Sequence, residues 1–440
     1  MELKGMRVMV VGLGISGRAA ARFVHGRGAR LVLTDTSADI ARDTLAPGEL
    51  RLGGEDAAWL DGVELVVVSP GVAPSSILMR AAAERHIPMV GELELASRFV
   101  TAPIVAITGT NGKSTVTTLV AEIFKAAGRR VFAGGNLGTP LVDAVGAEID
   151  LAVVEVSSFQ LETIERFRPH VGVYLNLAED HLDRYRDIDD YGRAKARMFM
   201  NQRADDWAIL NRDDARVWAL GKEVKSRVIG FGHGASAGID SITPDGDGLR
   251  FEIGGRAGRI DLAGLALAGA HNLANVMAGA AAALAMGVAP AAIEAAITRF
   301  RGLPHRMETV CERGGVTFID DSKGTNVAAV VEALNAVRGR VILLAGGVDK
   351  GGDYGPLRAP LAEKVSLLIL FGAARETMRR ALAGATRVEV VATLAEAVRM
   401  AGGAARAGDV VMLSPACSSF DQFRNYAERG RIFQELVREL

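Results

Sequence analysis

Residues 103–128 read PIVAITGTNGKSTVTTLVAEIFKAAG, and the succession of apolar and small residues in this stretch decides the fold. Ile104, Val105 and Ile107 make a short β-prone run. Gly109 and Gly112 bracket a tight turn, after which Val116, Leu119, Val120, Ile123, Phe124 and Ala127 recur at helical spacing until Gly128 stops the helix. A strand, a glycine turn and a helix in that order aim the helix's first N–H groups and its positive dipole end at whatever the turn encloses. The natural occupant is a phosphate. Lys113 would add a point charge for the outer phosphates, and Ser114 or Thr115 a hydroxyl for Mg²⁺. The strict P-loop spacing asks for a glycine where Ile107 stands, so this turn is a shortened variant.

Upstream, residues 1–91 alternate strand and helix signals: VMVVG, GISGRAAARFVHGRG, RLVLTD, VELVVVSPG, IPMVG. The alternation predicts a doubly wound parallel sheet. Gly12, Gly14 and Gly17 form GxGxxG straight after the first strand, and Asp35 ends the second at a distance that suits a ribose. Alone, that pattern favours NAD or FAD, with plain helix–sheet packing as the alternative. The module is short for a full dinucleotide fold, and Ser69, Pro70 and Gly71 make a second tight turn at a strand end.

Downstream, LAVVEVSSFQLE ends an apolar strand in Glu155, where a carboxylate beside a phosphate loop can hold Mg²⁺. VGVYLNLAEDHLDRY sets Asn176, Asp180, His181 and Asp183 past another strand; a lone histidine is commonly a structural hydrogen-bonder. DDYGRAKARMF puts Tyr191 and Lys195 on one helical face, where a solvated lysine is the ordinary outcome. GAHNLANVMAGAAAA starts a helix in which Asn272 and Asn275 share a face, capping being the other reading of Asn272. From residue 303 the alternation resumes in RVILLAGGVDKGG, SLLILFG, RVEVVATLAEAVRMA and GDVVMLSPACSSFDQF, which predicts a second Rossmann-like sheet. The expected architecture is therefore α/β in three domains: 1–91 Rossmann-like, 92–302 a central P-loop unit with a parallel or mixed sheet, and 303–440 Rossmann-like.

The whole chain is consistent with this. At 440 residues, 49% hydrophobic and 23% charged, it has the composition of a soluble globular protein of about three domains. A net charge of −1 leaves no electrostatic footprint for nucleic acid. Two distant cysteines, Cys311 and Cys417, argue against a zinc site and for a reducing cytoplasm. The first strand begins at Arg7 without a signal-peptide pattern, and the longest apolar run, Val276 to Ala289, is too short for a bilayer. No membrane association is expected.

TGTNGKST, NLAEDHLDR, GLPHRME, DDSKGTN and SPACSSFDQFRNYAERG together resemble the Mur ligase and folylpolyglutamate synthase superfamily, ATP-dependent ligases that join an amino acid to a carboxylate. The resemblance runs through all three domains. It implies ATP on Gly109, Thr110, Asn111, Gly112, Lys113, Ser114, Thr115, Asn272, Asn275, Arg306 and Asp321. It implies two Mg²⁺ ions held with the help of Ser114, Glu155, His181 and Lys195, the lysine carbamylated by CO₂ into a carboxylate-like ligand. Such a lysine must first be a neutral amine, in a site that lowers its pKa. A UDP-N-acetylmuramoyl substrate is implied along Ile15, Ser16, Asp35, Thr36, Ser69, Pro70, Gly71 and Asn136. Ser37 stands where the family often has an arginine. Lys323 and Thr325 would lie at the reaction centre.

Within the superfamily, SPACSSFDQFRNYAERG resembles the branch that adds D-glutamate, which carries over to Thr325, Lys350, Ser419 and Tyr426. The DNPR signature of the diaminopimelate-adding branch is absent. The activity implied is ATP-dependent addition of D-glutamate to UDP-N-acetylmuramoyl-L-alanine through an acyl phosphate, by a monomer acting on small-molecule substrates. Lys113, His181, Lys195 and Lys323 would be the catalytic group. Three alternatives stay open: an NAD-dependent oxidoreductase built on GLGISG, a non-catalytic ATP-binding module, and a sister ligase for another amino acid. If three domains meet around one γ-phosphate, the C-terminal one should close on ATP binding, with hinges near residues 92 and 302.

Overall fold

The computed structural model describes residues 1–234, 238–265 and 269–440, which build three sheets in succession. The first is five-stranded and all parallel, in the order Glu49–Leu52, Arg30–Asp35, Arg7–Val11, Leu65–Val68, Met89–Gly91. Four of these strands are legible as apolar runs. Glu49–Leu52, reading ELRL at the edge, is not.

The second sheet has nine strands. Ile104–Thr108 is buried along its whole length between Leu151–Glu155 and Val171–Tyr174, with Val131–Gly135 at one edge. A parallel strand buried on every residue needs helices on both faces. One cover is the helix Lys113–Ala126 itself, packed against Ala270–Ala285 and Pro290–Arg299, where alanine and glycine let the axes come close. Past Trp207–Asn211 and Arg227–Phe231 the sheet turns antiparallel: Ser241–Asp245, Gly248–Ile253 and Arg256–Asp261 form a meander. Glycine-rich and polar, the meander escapes a sequence reading, although Leu249, Phe251 and Ile253 alternate inward as a half-buried strand should.

The third sheet orders Glu308–Arg313, Val316–Asp320, Val410–Leu413, Val341–Gly346, Val365–Phe371 and Val388–Val390, parallel except for its first, edge strand. Among the described residues no helix is long and apolar enough to cross a membrane.

The junctions between units differ in kind. The short helix Glu92–Ser97 contributes Leu93 and Ala96 to one core with Ala19, Leu141 and Val142, while its Leu95 packs in the core of the first sheet. Glu94, wholly buried, accepts the N–H groups of Glu165, Arg166 and Phe167 and pairs with Arg98 at 2.7 Å. Burial alone would raise that carboxyl, but these donors hold it below its ordinary value. Where a hinge is expected near residue 92, the joint is packed and hydrogen-bonded. Contact between the second and third units is polar instead. Asn326 Nδ2 donates to Asn111 Oδ1 at 3.1 Å and Asp180 Oδ2 at 3.2 Å, and Lys350 Nζ meets Asp180 Oδ1 at 3.1 Å.

Candidate active site

The phosphate-type turn forms as its sequence requires. Gly112 caps the helix Lys113–Ala126 with φ +86°, and a Cβ there would fall 2.3 Å from Asn275 Oδ1, so only glycine fits. No side chain caps the helix start, which leaves its dipole for a ligand. Asn176, past the strand Val171–Tyr174, braces the turn by accepting from Asn111 N at 2.8 Å and donating to Asn111 O at 3.1 Å.

Two lysines converge behind it. Lys113 Nζ donates to Gly109 O and Thr110 O, both at 2.8 Å, and Lys195 Nζ donates to the same Gly109 O at 2.9 Å. Lys195 is buried, with its amine 4.5 Å from the centre of the Tyr191 ring, so it is not a solvated lysine. Burial and the neighbouring Lys113 charge push its pKa well below the ordinary value, Asp180 and Glu155 opposing only in part. Burial also lowers Lys113.

Ser114 Oγ donates to Glu155 Oε2 at 2.5 Å, and Asn136 Nδ2 holds Glu155 Oε1 at 2.7 Å. Thr115 Oγ1, on the following residue, is buried without a partner among the described residues. The Ser114 hydroxyl and the Glu155 carboxylate are oxygen donors of the kind a hard cation takes. His181, with φ +57°, stacks edge-on against Phe159 at 4.8 Å, and burial lowers its pKa. Among the described residues, the one set of three His, Cys, Asp or Glu groups close enough to share an ion is His305, Glu308 and Asp320, outside the sites read from sequence. Gln434 bridges its two carboxylates at 3.1 and 3.0 Å.

Three cavities lie among these residues. A cleft of about 1000 Å³ is lined by Ile15, Ser16, Asp35, Thr36, Ser69, Pro70, Gly71 and Asn136, so all eight residues read for the UDP substrate share one space. Asp35 Oδ2 accepts Leu13 N at 2.7 Å, and Ser69 Oγ donates to Gly12 O at 2.6 Å, which fixes the first glycine loop at its rim. Phe420, of the third unit and 73% exposed, lines the same cleft and went unnoticed in the sequence. A second cavity is lined by Asn111, Gly112, Asn275, Arg306 and His271. Asn272 and Asp321 do not line it; Asp321 is buried and accepts Ser414 Oγ at 2.7 Å, and burial raises it to about 6. The third cavity joins Thr325 and Lys350, whose side chains lie 3.4 Å apart, to Asp180. Lys323 Nζ instead meets Tyr426 Oη at 2.9 Å, and Ser419 is buried.

Sequence reading also missed Arg429. Fully buried on the helix Tyr426–Glu439, it donates to Ser322 O at 2.9 Å and Cys417 O at 3.2 Å, tying the loop of Lys323 to that of Ser419.

Residues 6–91 match the family description "Mur ligase MurD-like, N-terminal domain", residues 107–283 "Mur ligase middle domain" and residues 305–417 "Mur ligase, glutamate ligase domain". The chain belongs to the Mur ligase family. Its curated relatives include proteins named "UDP-N-acetylmuramoylalanine--D-glutamate ligase". That of Desulfosudis oleivorans is 45% identical over 450 residues, covering 100% of this chain and 98% of the relative. That of Geotalea daltonii is 47% identical over 457 residues, covering 100% and 99%. Among solved structures, a UDP-N-acetylmuramate-alanine ligase from Thermotoga maritima superposes with TM-score 0.62 at 18% identity, covering 99% of each chain. E. coli FolC in complex with ADP gives 0.60 at 19% identity, covering 79% of this chain and 93% of that one. These two similarities bear on the fold of this Mur ligase alone.

The second cavity carries a pH prediction. Burial and then Arg306 lower the His271 pKa from 6.5 to about 4, although Glu332 Oε2, whose own carboxyl is raised by burial, lies 3.7 Å from its Nδ1. Between those values the unfolded chain holds a proton that the folded one does not, so stability falls as pH drops from 6.5 towards 4. His271→Asn is expected to flatten that slope by about 2 kcal/mol, read from urea midpoints across the window. An unchanged slope would refute it.

Proposed function

We propose that this Mur ligase joins D-glutamate to UDP-N-acetylmuramoyl-L-alanine, driven by ATP, through an acyl phosphate and with release of ADP and phosphate. The observation that carries the reading is the end-to-end similarity, 45% and 47%, to ligases named for that reaction. A carboxylate does not form an amide unaided in water; phosphorylation gives it a leaving group that the glutamate amine can displace. The protein's share is positioning and charge neutralisation.

In this reading the three units are residues 1–91, 92–302 and 303–440. The turn Gly109–Thr115 holds the phosphates, with Lys113 swinging from its loop carbonyls to the γ-phosphate. Asn275 and Arg306, which line the second cavity, hold the rest of ATP, backed by Asn272, whose Oδ1 accepts Asn275 Nδ2 at 3.5 Å, and by Asp321 within reach of the Arg306 charge. The 1000 Å³ cleft takes the UDP-sugar, with Asn136 at its reacting end. Thr325, Lys350, Ser419 and Tyr426 receive D-glutamate, and Lys323 lies at the reaction centre. His181, kept neutral by burial, orients the incoming amine or accepts its proton. Ser114, Glu155, His181 and a carbamylated Lys195 would hold two Mg²⁺ ions. Bound there, Mg²⁺ would neutralise the charge of the transferred phosphoryl group. The depressed pKa of Lys195 supports carbamylation, because a neutral amine attacks CO₂, forming the N–C bond and releasing a proton. The enzyme would work as a cytoplasmic monomer on small molecules.

The deciding assay is phosphate release with a panel of amino acids. Release is expected only with UDP-N-acetylmuramoyl-L-alanine and D-glutamate together; equal stimulation by L-alanine or diaminopimelate would move the chain to a sister activity. Lys195→Met should lower turnover on the order of 100-fold or more, the upper end of what loss of even an outer-shell partner of a metal costs. Its thermal midpoint should hold or rise, since a buried amine is removed. Full activity in that variant would remove the carbamate from the scheme.

A further inference from the structure

Glu92, 1% exposed, opens the second unit directly after the last strand of the first sheet, and its carboxylate reaches a turn 50 residues further on. Its Oε1 accepts Val142 N at 2.7 Å, and its Oε2 is buried with no partner among the described residues. The turn it caps, Leu141–Ala144, follows Pro140 and has no side-chain cap of its own. A buried acid that leaves one oxygen unsatisfied is costly to keep, and apolar packing alone would have filled the space. The charged group facing it is Asp143, and burial pushes its carboxyl up to about 7.

That turn is the root of the loop 134–140. Gly135 N bonds Thr139 O at 2.7 Å across the loop, and Asn136 N bonds Glu155 O at 2.9 Å. Asn136 thus faces the cleft with one side and Glu155 with the other. The capped turn has no contact with the phosphate-binding turn or with the third unit's cavity among the bonds described.

We propose that Glu92 is a positioning residue: by pinning the turn Leu141–Ala144 it sets the register of the loop that presents Asn136 to the UDP-sugar, and so couples the first sheet to the substrate's reacting end. The proposal rests on the function assigned above. Its test is steady-state kinetics of the full chain with each substrate varied in turn. Glu92→Ala should raise KM for the UDP-sugar about tenfold, raise KM for ATP by less, because Asn136 also holds Glu155, and leave KM for D-glutamate within about twofold. Glu92→Gln, which keeps an acceptor for Val142 N, should restore most of the loss. In a double-mutant cycle the effects of Glu92→Ala and Asn136→Ala should be less than additive. Should Glu92→Ala not fold, Glu92→Asp, one methylene short of Val142 N, carries the same expectation. An unchanged KM for the UDP-sugar, an equal rise in all three KM values, or full additivity with Asn136→Ala would overturn the proposal. The two readings fail differently: wild-type protein without D-glutamate-dependent phosphate release sinks the assigned function, whereas release with an unaltered KM in the variants sinks only the role of Glu92.

Discussion

Lys113→Ala is expected to lower the rate of ATP-dependent amide synthesis by about 10³-fold or more, the scale on which a cation aimed at a transferring phosphoryl group contributes. The loss should be catalytic rather than structural. In the free enzyme the Lys113 ammonium rests on two carbonyls of its own loop, Gly109 O and Thr110 O, and burial disfavours its charged form. Deleting it removes a group the fold tolerates at a cost. The sign is checkable. An amine whose folded pKa lies below its unfolded 10.5 is protonated more readily in the unfolded chain, so wild-type stability should rise with pH through the window below 10.5. Lys113→Ala should weaken that slope, Lys195 supplying the rest. Phosphate release at more than about a tenth of the wild-type rate would contradict the role given to this side chain.

Arg429→Met should cost about 3 kcal/mol of stability and raise KM for D-glutamate about tenfold. Methionine fills much of the space but donates nothing, so the carbonyls of Ser322 and Cys417 are left buried and unpaired. Each is worth roughly 1–3 kcal/mol. Relief of a buried charge offsets part of this, for burial already holds the guanidinium down at about 10. The kinetic effect follows from the chain: Ser322 precedes Lys323, and Cys417 lies two residues before Ser419. Urea unfolding and D-glutamate titration test both halves, and a variant of wild-type KM would show that the two loops hold themselves.

Much of this was legible in the sequence because the local signals agreed. The strand Arg7–Val11 and the helix start at Lys113 lie where apolar runs and glycines put them. The eight cleft residues came from separate segments and still meet, because ligand sites on parallel sheets open at the strand ends. What stayed hidden depends on contacts distant in sequence. Glu92 and Glu94 look like surface acids until the backbone N–H groups that fill them are seen. Arg429 sits in a charged helix, YAERGRIFQELVRE, whose composition conceals its burial. The meander over residues 241–261 carries too many glycines and charges to announce three strands. The packing at residue 92, where a hinge is expected, likewise rests on contacts distant in sequence.

That joint makes the molecule mechanically lopsided. Ala19, Leu93 and Leu141 belong to one apolar core, whereas the apolar clusters of the last third contain no residue of the first two. Under a pulling force applied at the chain ends, the C-terminal third should peel away at low load with little extension, and the remaining two thirds should yield later as a single event.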